Sequence, residues 1–213
     1  MTCMPASSAF QKSLPISTLV LIDMCKPNLP QGLKRAPGGT ILQNCRRALS
    51  FARLHGWRVA HVRSEHALLP GSDQSIAGFE PERIDPKFER RALSCYSSPY
   101  FQSVMRETGG SYVLAGFLGD GGGLATLADT LLYGDSVTLL ADASLDEVSR
   151  RVFSEPVLSL LTTHTSLRFN VVSTSAWLRA LEGIGAGAMM RTSRTEKHAA
   201  QRQRRIAGGE AHP

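Results

Sequence analysis

Asp23 is the first residue whose setting suggests chemistry. It closes the apolar run Leu19-Val20-Leu21-Ile22, so its carboxylate would stand at the end of a buried strand with little water around it. Desolvation disfavours the charged form, which would let Asp23 hold or give a proton near neutral pH. A helix cap or a loop-positioning role is the alternative reading. The second such place is the stretch "AGFLGDGGGLAT", Ala115 to Thr126, a glycine-rich turn between a strand and a helix. Backbone N–H groups at a helix N-terminus can hold a carboxylate or a developing anion. Close packing of helix against strand would demand the same glycines. The turn lacks the Gly-Lys-Ser/Thr of a Walker loop and the glycine spacing of a dinucleotide fingerprint, and it has no Cys or Ser between Gly116 and Thr126.

These residues need a frame. Continuous apolar runs of strand length recur at 17–24, 57–62, 111–117, 136–142 and 168–174, the pattern of strands buried on both faces. Helical periodicity fills 40–56, 124–135 and 145–164, the last interrupted by Pro156. Strands alternating with helices of this size predict a three-layer α/β/α sandwich with a mainly parallel central sheet. The runs 19–23, 111–115 and 136–140 are its expected neighbouring central strands. Ligands of such sheets bind at the carboxyl ends of the strands. That rule singles out Asp23, the residues after Val62 and the Gly116–Gly123 turn.

Composition narrows the class further. The chain has 213 residues, 42% of them hydrophobic, enough to bury a core without disulfides or metal. Its net charge of +6 is concentrated at one end: Arg191–Pro213 holds six Lys/Arg and two Asp/Glu, leaving only +2 on the rest. The expected organisation is an N-terminal arm (1–13), one domain (14–182) and a basic, disordered tail (183–213). No specific nucleic-acid partner is expected. With no apolar run long enough to span a bilayer and no signal segment, neither is a membrane, and the expected location is the cytoplasm. The four cysteines show no CxxC spacing, so neither a zinc site nor a disulfide framework is indicated.

The order "LVLIDM", "GWRVAHVRSEH", "ERRALSCYSSPYF" and "YVLAGFLGDGGGLATLADTLLYGDSVTLLADAS" resembles the isochorismatase-like superfamily, also called the cysteine hydrolase family, over roughly residues 17–178. The most specific part is Gly-x-x-x-Asp-x-x-x-x-Ala-Thr from Gly116 to Thr126, followed by "DAS" at 142–144. The resemblance implies an active centre of Asp23, a Lys position occupied here by Arg90, with Arg91 the next candidate, and Gly122 where amidase members carry a nucleophilic Cys. Arg91, Phe117, Leu118, Gly121 and Gly123 become the implied substrate-binding residues, with a cis peptide at Phe117–Leu118. Isochorismatases proper resemble this chain in having Gly at position 122. There a protonated Asp delivers its proton to a vinyl ether carbon and water then attacks. The implied function is a hydrolase that works without a Cys nucleophile on a small carboxylate-bearing substrate, as a homo-oligomer and with no cofactor. Some superfamily amidases hold a metal near the position of His61 and His66, but this stretch lacks an Asp-x-His and no metal is expected. The chain departs from the family at Arg90 and at Cys25-Lys26-Pro27, which keeps open a second reading, a catalytically dead binding or assembly protein of the same fold.

Overall fold

A computed structural model describes residues 17–25, 37–65, 74–118, 122–144 and 169–183. Six strands form one sheet: β1 (Thr18–Ile22), β2 (Arg58–Ser64), β3 (Lys87–Arg90), β4 (Ser111–Gly116), β5 (Ser136–Leu140) and β6 (Phe169–Val172). Their order is β3-β2-β1-β4-β5-β6 and every pairing is parallel. The expected central strands β1, β4 and β5 are neighbours as predicted. Because the chain builds outward from β1 first to one side and then to the other, the sheet reverses direction between β1 and β4. Such a switch point opens a crevice at the carboxyl ends of the strands.

Helices α1 (Pro37–Leu54), α2 (Pro99–Glu107) and α3 (Gly122–Tyr133) flank the sheet. Along α1 the buried residues Ile41, Cys45, Ala48 and Ala52 recur at helical spacing, and most are small, so the helix lies close against β1, β2 and β4. It ends where Gly56 turns to φ +66°. There the amides of Gly56 and Trp57 return to the carbonyls of Arg53 and Ala52, a Schellman cap that glycine adopts without strain. Helices α2 and α3 cover the opposite face, where Phe101, Val104, Met105 and Leu127 pack on Val20, Ile22, Ala60, Val62, Tyr112, Leu114, Val137 and Leu139. The α/β/α layering follows from this two-residue alternation along each strand.

β3 and α2 were not among the expected elements. β3 reads Lys-Phe-Glu-Arg and alternates exposed and buried at the sheet edge, so hydropathy sees only one apolar residue in it. The expected helix at 145–164 lies outside the described residues. Backbone packing divides the chain into two compact units, Ile16–Trp177 and a second made of Met1–Pro15 with Leu178–Pro213. The sheet belongs to the first. In the second, 178–183 are described and are helical.

Candidate active site

Asp23 follows the last residue of β1 and is 4% exposed. Its φ of +53° is the one positive value at a non-glycine position among the described residues, a conformation that costs an ordinary L-residue about 1–2 kcal/mol. The backbone is held there by its N–H, which donates to the Val62 carbonyl at 2.8 Å, and by its own carbonyl, which accepts from Cys25 N–H at 2.7 Å. This geometry turns the side chain across the end of β2. Oδ1 accepts the Ser64 amide at 2.9 Å, and Oδ2 accepts Arg90 Nη2 at 2.5 Å.

Arg90 is the last residue of β3, two strands away, and is only 1% exposed. Its register opposite Ser64 aims the side chain along the strand ends toward Asp23. Nη1 donates to the carbonyls of Leu93 at 2.6 Å and Ala92 at 3.3 Å, so the guanidinium also folds its own following loop. Ser97 Oγ completes that loop by accepting the amides of Arg91 and Ala92, both at 3.1 Å. Burial alone would favour a neutral Asp23, as the sequence suggested. A guanidinium, however, stays protonated at any working pH, and its contact with Oδ2 opposes the effect of burial. Arg91 goes elsewhere: its side chain is 80% exposed and faces Glu65 at 3.6 Å.

The glycine turn begins at Gly116, where φ is +117°. A Cβ there would sit 2.2 Å from the Ile22 carbonyl oxygen, so only glycine lets the ends of β4 and β1 approach this closely. The Phe117 amide then donates to the same carbonyl at 2.9 Å. The described residues contain no cis peptide, which corrects the expectation at Phe117–Leu118. Gly116 already redirects the chain through its positive φ, and the bond that follows is trans. Leu118 is 1% exposed and joins the core. It lies against the start of α3, where a Cβ on Gly123 would come within 2.8 Å of its side chain. Phe117 is buried, Gly122 starts α3, and Gly121 lies outside the described residues.

Sequence reasoning assigned no role to Thr126, although it closes the most specific motif. Its buried hydroxyl donates to the Gly122 carbonyl at 2.7 Å and accepts the Cys95 amide at 3.0 Å, fastening the loop after Arg90 to the first turn of α3. The "DAS" residues are structural: Asp142 Oδ1 accepts both the N–H and the hydroxyl of Thr174 at 2.7 Å. Cys45 approaches the turn from α1, donating to the Ala143 carbonyl at 3.0 Å. Burial pushes its thiol up to about 12 against the opposing pull of the Gly116 amide, which keeps it protonated at neutral pH.

A second acidic centre lies on the α1 face of the sheet. Asp85 accepts both terminal nitrogens of Arg53, the Glu82 amide at 2.8 Å and a contact from His61 Nε2 at 3.3 Å. Burial would raise Asp85, but the Arg53 and Glu82 hydrogen bonds and the charges of Arg53 and His61 outweigh it and hold the carboxyl low. Burial lowers His61 to about 4 despite the pull of Asp85, so at neutral pH their contact is a hydrogen bond to a neutral ring. His66 lies outside the described residues. Among the described residues no cluster of three or more His, Cys, Asp or Glu could hold a metal ion.

A parallel sheet of this order, with a buried carboxylate at the switch point, defines an α/β protein whose ligands are met at the carboxyl ends of the strands. The isochorismatase domain description matches residues 17–151, and the chain belongs to that family. Solved structures share the fold. An isochorismatase from Pseudomonas putida KT2440 is 20% identical, with a TM-score of 0.61 over 82% of this chain and 93% of its own. N-carbamoylsarcosine amidase from Thermoplasma acidophilum is 19% identical, with a TM-score of 0.57 over 75% and 96%. MAR1 ribonuclease from Caenorhabditis elegans is 16% identical, with a TM-score of 0.55 over 79% and 82%. At these identities the likeness carries the fold alone. No curated protein sequence matches the chain.

Proposed function

We propose that this chain is a hydrolase working without a thiol nucleophile on a small carboxylate-bearing substrate, a vinyl ether or a close analogue. Asp23 handles the proton, Arg90 meets the substrate carboxylate, and the backbone amides at the start of α3, Gly122 and Gly123, serve as the cradle for developing charge. The observation that carries this reading is the Asp23–Arg90 pair, buried at the switch point with Asp23 held at φ +53°. A buried ion pair and an unfavourable backbone angle both cost stability, and a scaffold with no chemistry to perform would gain more from apolar residues there. In the reaction, Asp23 gives its proton to the vinyl carbon, water adds to the resulting cation, and the adduct collapses to a keto acid and an alcohol. The test is a hydrolysis screen of vinyl ethers and small amides with Asp23→Asn as control. Turnover in the wild type that vanishes in the variant supports the reading, and no turnover on any vinyl ether overturns it.

One observation favours a second reading, a binding or assembly protein that kept the fold. Leu118, 1% exposed, fills the space over Gly123 where a ligand cradle was expected. Carboxylate binding without turnover would support it. In either case we assign the chain to the cytoplasm as a homo-oligomer, with no specific nucleic-acid or membrane partner. No helix among the described residues is long and apolar enough to cross a membrane.

A further inference from the structure

We infer that two copies of this chain join through the outer edge of β3, antiparallel and about a two-fold axis at Phe88, so that Lys87 of each copy stands opposite the partner's Glu89 and the two sheets continue as one. The inference gives an interface to the homo-oligomer assigned above, and it does not depend on the hydrolase reading.

Among the described residues β3 ends the sheet and pairs with β2 alone. The Pro86 carbonyl accepts the His61 amide at 2.9 Å. Main-chain groups alternate sides along a strand, so the N–H and C=O of Phe88 also turn to β2, while those of Lys87 and Glu89 turn outward. Both of these residues are exposed, and among the described residues neither side chain has an ion-pair partner. Such an edge is a template for another strand, and charges of one sign along it would hold copies apart. Here the charges are opposite, two residues apart and on one face of the strand. Reversing the strand about Phe88 sets Lys87 against the partner's Glu89 and Glu89 against the partner's Lys87. Each is then a hydrogen-bonded pair that exchanges two main-chain bonds, with attracting side chains whose Cβ atoms stand about 5 Å apart. A two-fold contact requires this kind of self-complementarity.

The surface around the strand fits the same occupant. On its other face Phe88 carries the Tyr100 ring at a centroid distance of 5.0 Å, and Tyr100 is exposed, so a two-fold at Phe88 brings the two Tyr100 rings toward each other. Ile84 precedes β3 and Leu93 follows it, both exposed. Antiparallel pairing sets the apolar side chain at the start of one strand beside the one at the end of the other. Three of the six exposed large apolar side chains among the described residues thus surround one strand of four residues, a concentration that marks an interaction surface.

The experiment is sedimentation velocity of the full chain over a concentration series, beside Glu89→Lys and the double exchange Lys87→Glu with Glu89→Lys, each checked for folding by circular dichroism. Glu89→Lys sets lysine against lysine at both pairs and should halve the assembly or weaken self-association by about tenfold or more. The double exchange reverses both charges but keeps the edge self-complementary, so it should restore the wild-type assembly. Neither a loss of fold nor a contact on another face would produce that rescue. Should Glu89→Lys not fold, Lys87→Glu, which sets glutamate against glutamate, takes its place. An assembly that the single exchange leaves unchanged overturns the inference and leaves a homo-oligomer that meets through another face, as does a loss that the double exchange fails to repair. A wild type that sediments as a monomer overturns the inference and the homo-oligomer together, with the hydrolase reading untouched.

Discussion

Asp85 meets Arg53 in a two-point fork, through both terminal nitrogens, whereas Asp23 meets Arg90 at one point, through Oδ2 and Nη2. The two pairs use the same residue types in the same sheet, yet they are rooted differently. Arg53 rises from α1 with its side chain 23% exposed, and the Asp85 carboxylate collects an amide and a neutral imidazole besides the fork. That arrangement clips a helix, a strand and a turn together, and every contact is one that packing alone would favour. Asp23 and Arg90 instead join the ends of β1 and β3, both side chains nearly dry, with Asp23 in a left-handed conformation. Where an ion pair is bidentate and set between packed elements it serves as a fastener. Where it is single-point, buried and strained at a switch point, its cost is better explained by chemistry.

The comparison breaks most sharply at Asp23. Asp23→Asn takes the Asp23 carboxylate away from a buried guanidinium, and removing one member of a buried pair costs about 3–5 kcal/mol. The denaturation midpoint should drop accordingly, and any hydrolytic turnover should fall below detection in the protein that remains folded. Asp85→Ala is expected to cost about 2–4 kcal/mol, less because Arg53 can turn to water, with turnover per folded molecule unchanged. Denaturant titration alongside steady-state rates checks both, and a loss of turnover in folded Asp85→Ala would erase the distinction between fastener and site.

Acid should act on the Asp85 centre through His61. Its folded pKa of about 4 lies below the ordinary histidine value of 6.5, so between those values the unfolded chain binds the proton and the native protein resists it. Stability is therefore present above about pH 6.5 and is lost as pH falls toward 4, by about 3 kcal/mol in all. Asp85, also held low, adds a loss of the same sign at still lower pH. Thermal melts between pH 7 and pH 4 measure the slope, which His61→Gln should flatten.

Much of this was legible beforehand, and what was missed has a physical cause. The strands β1, β4 and β5 announce themselves as continuous apolar runs because both faces are buried, and Asp23 stands out by ending one of them. β3 is an edge strand with charges at three of its four positions, and the burial of Arg90 depends on a partner 67 residues earlier in the chain, which no local pattern records. The arginine was reached only through its likeness to a family position. The glycines were recognised, but their reasons differ: Gly116 lets two strand ends meet and Gly123 makes room for Leu118. A one-dimensional reading could not separate close packing from a ligand cradle, since both remove side chains.

The smallest effects, and the finest test, come from replacing each arginine by lysine. At Arg53 the ammonium cannot reproduce the two-point fork on Asp85, and the substitution should cost about 1 kcal/mol, as for a hydrogen bond lost at a half-exposed site. Turnover should not change. At Arg90 an ammonium can still reach Asp23 but cannot at the same time hold the Leu93 and Ala92 carbonyls. Loosening of the 91–97 loop should lower stability by a similar amount, about 1–2 kcal/mol. Its effect on chemistry differs in kind. The charge beside Asp23 survives, so the rate should fall by no more than about tenfold, the size of a 1.4 kcal/mol change in the barrier, with KM for the carboxylate substrate rising more than kcat falls. If Arg90→Lys and Arg53→Lys prove indistinguishable in stability and in rate, both arginines are fasteners and the chemistry lies elsewhere in the fold. If only Arg90→Lys raises KM, the buried guanidinium is where the substrate carboxylate is held.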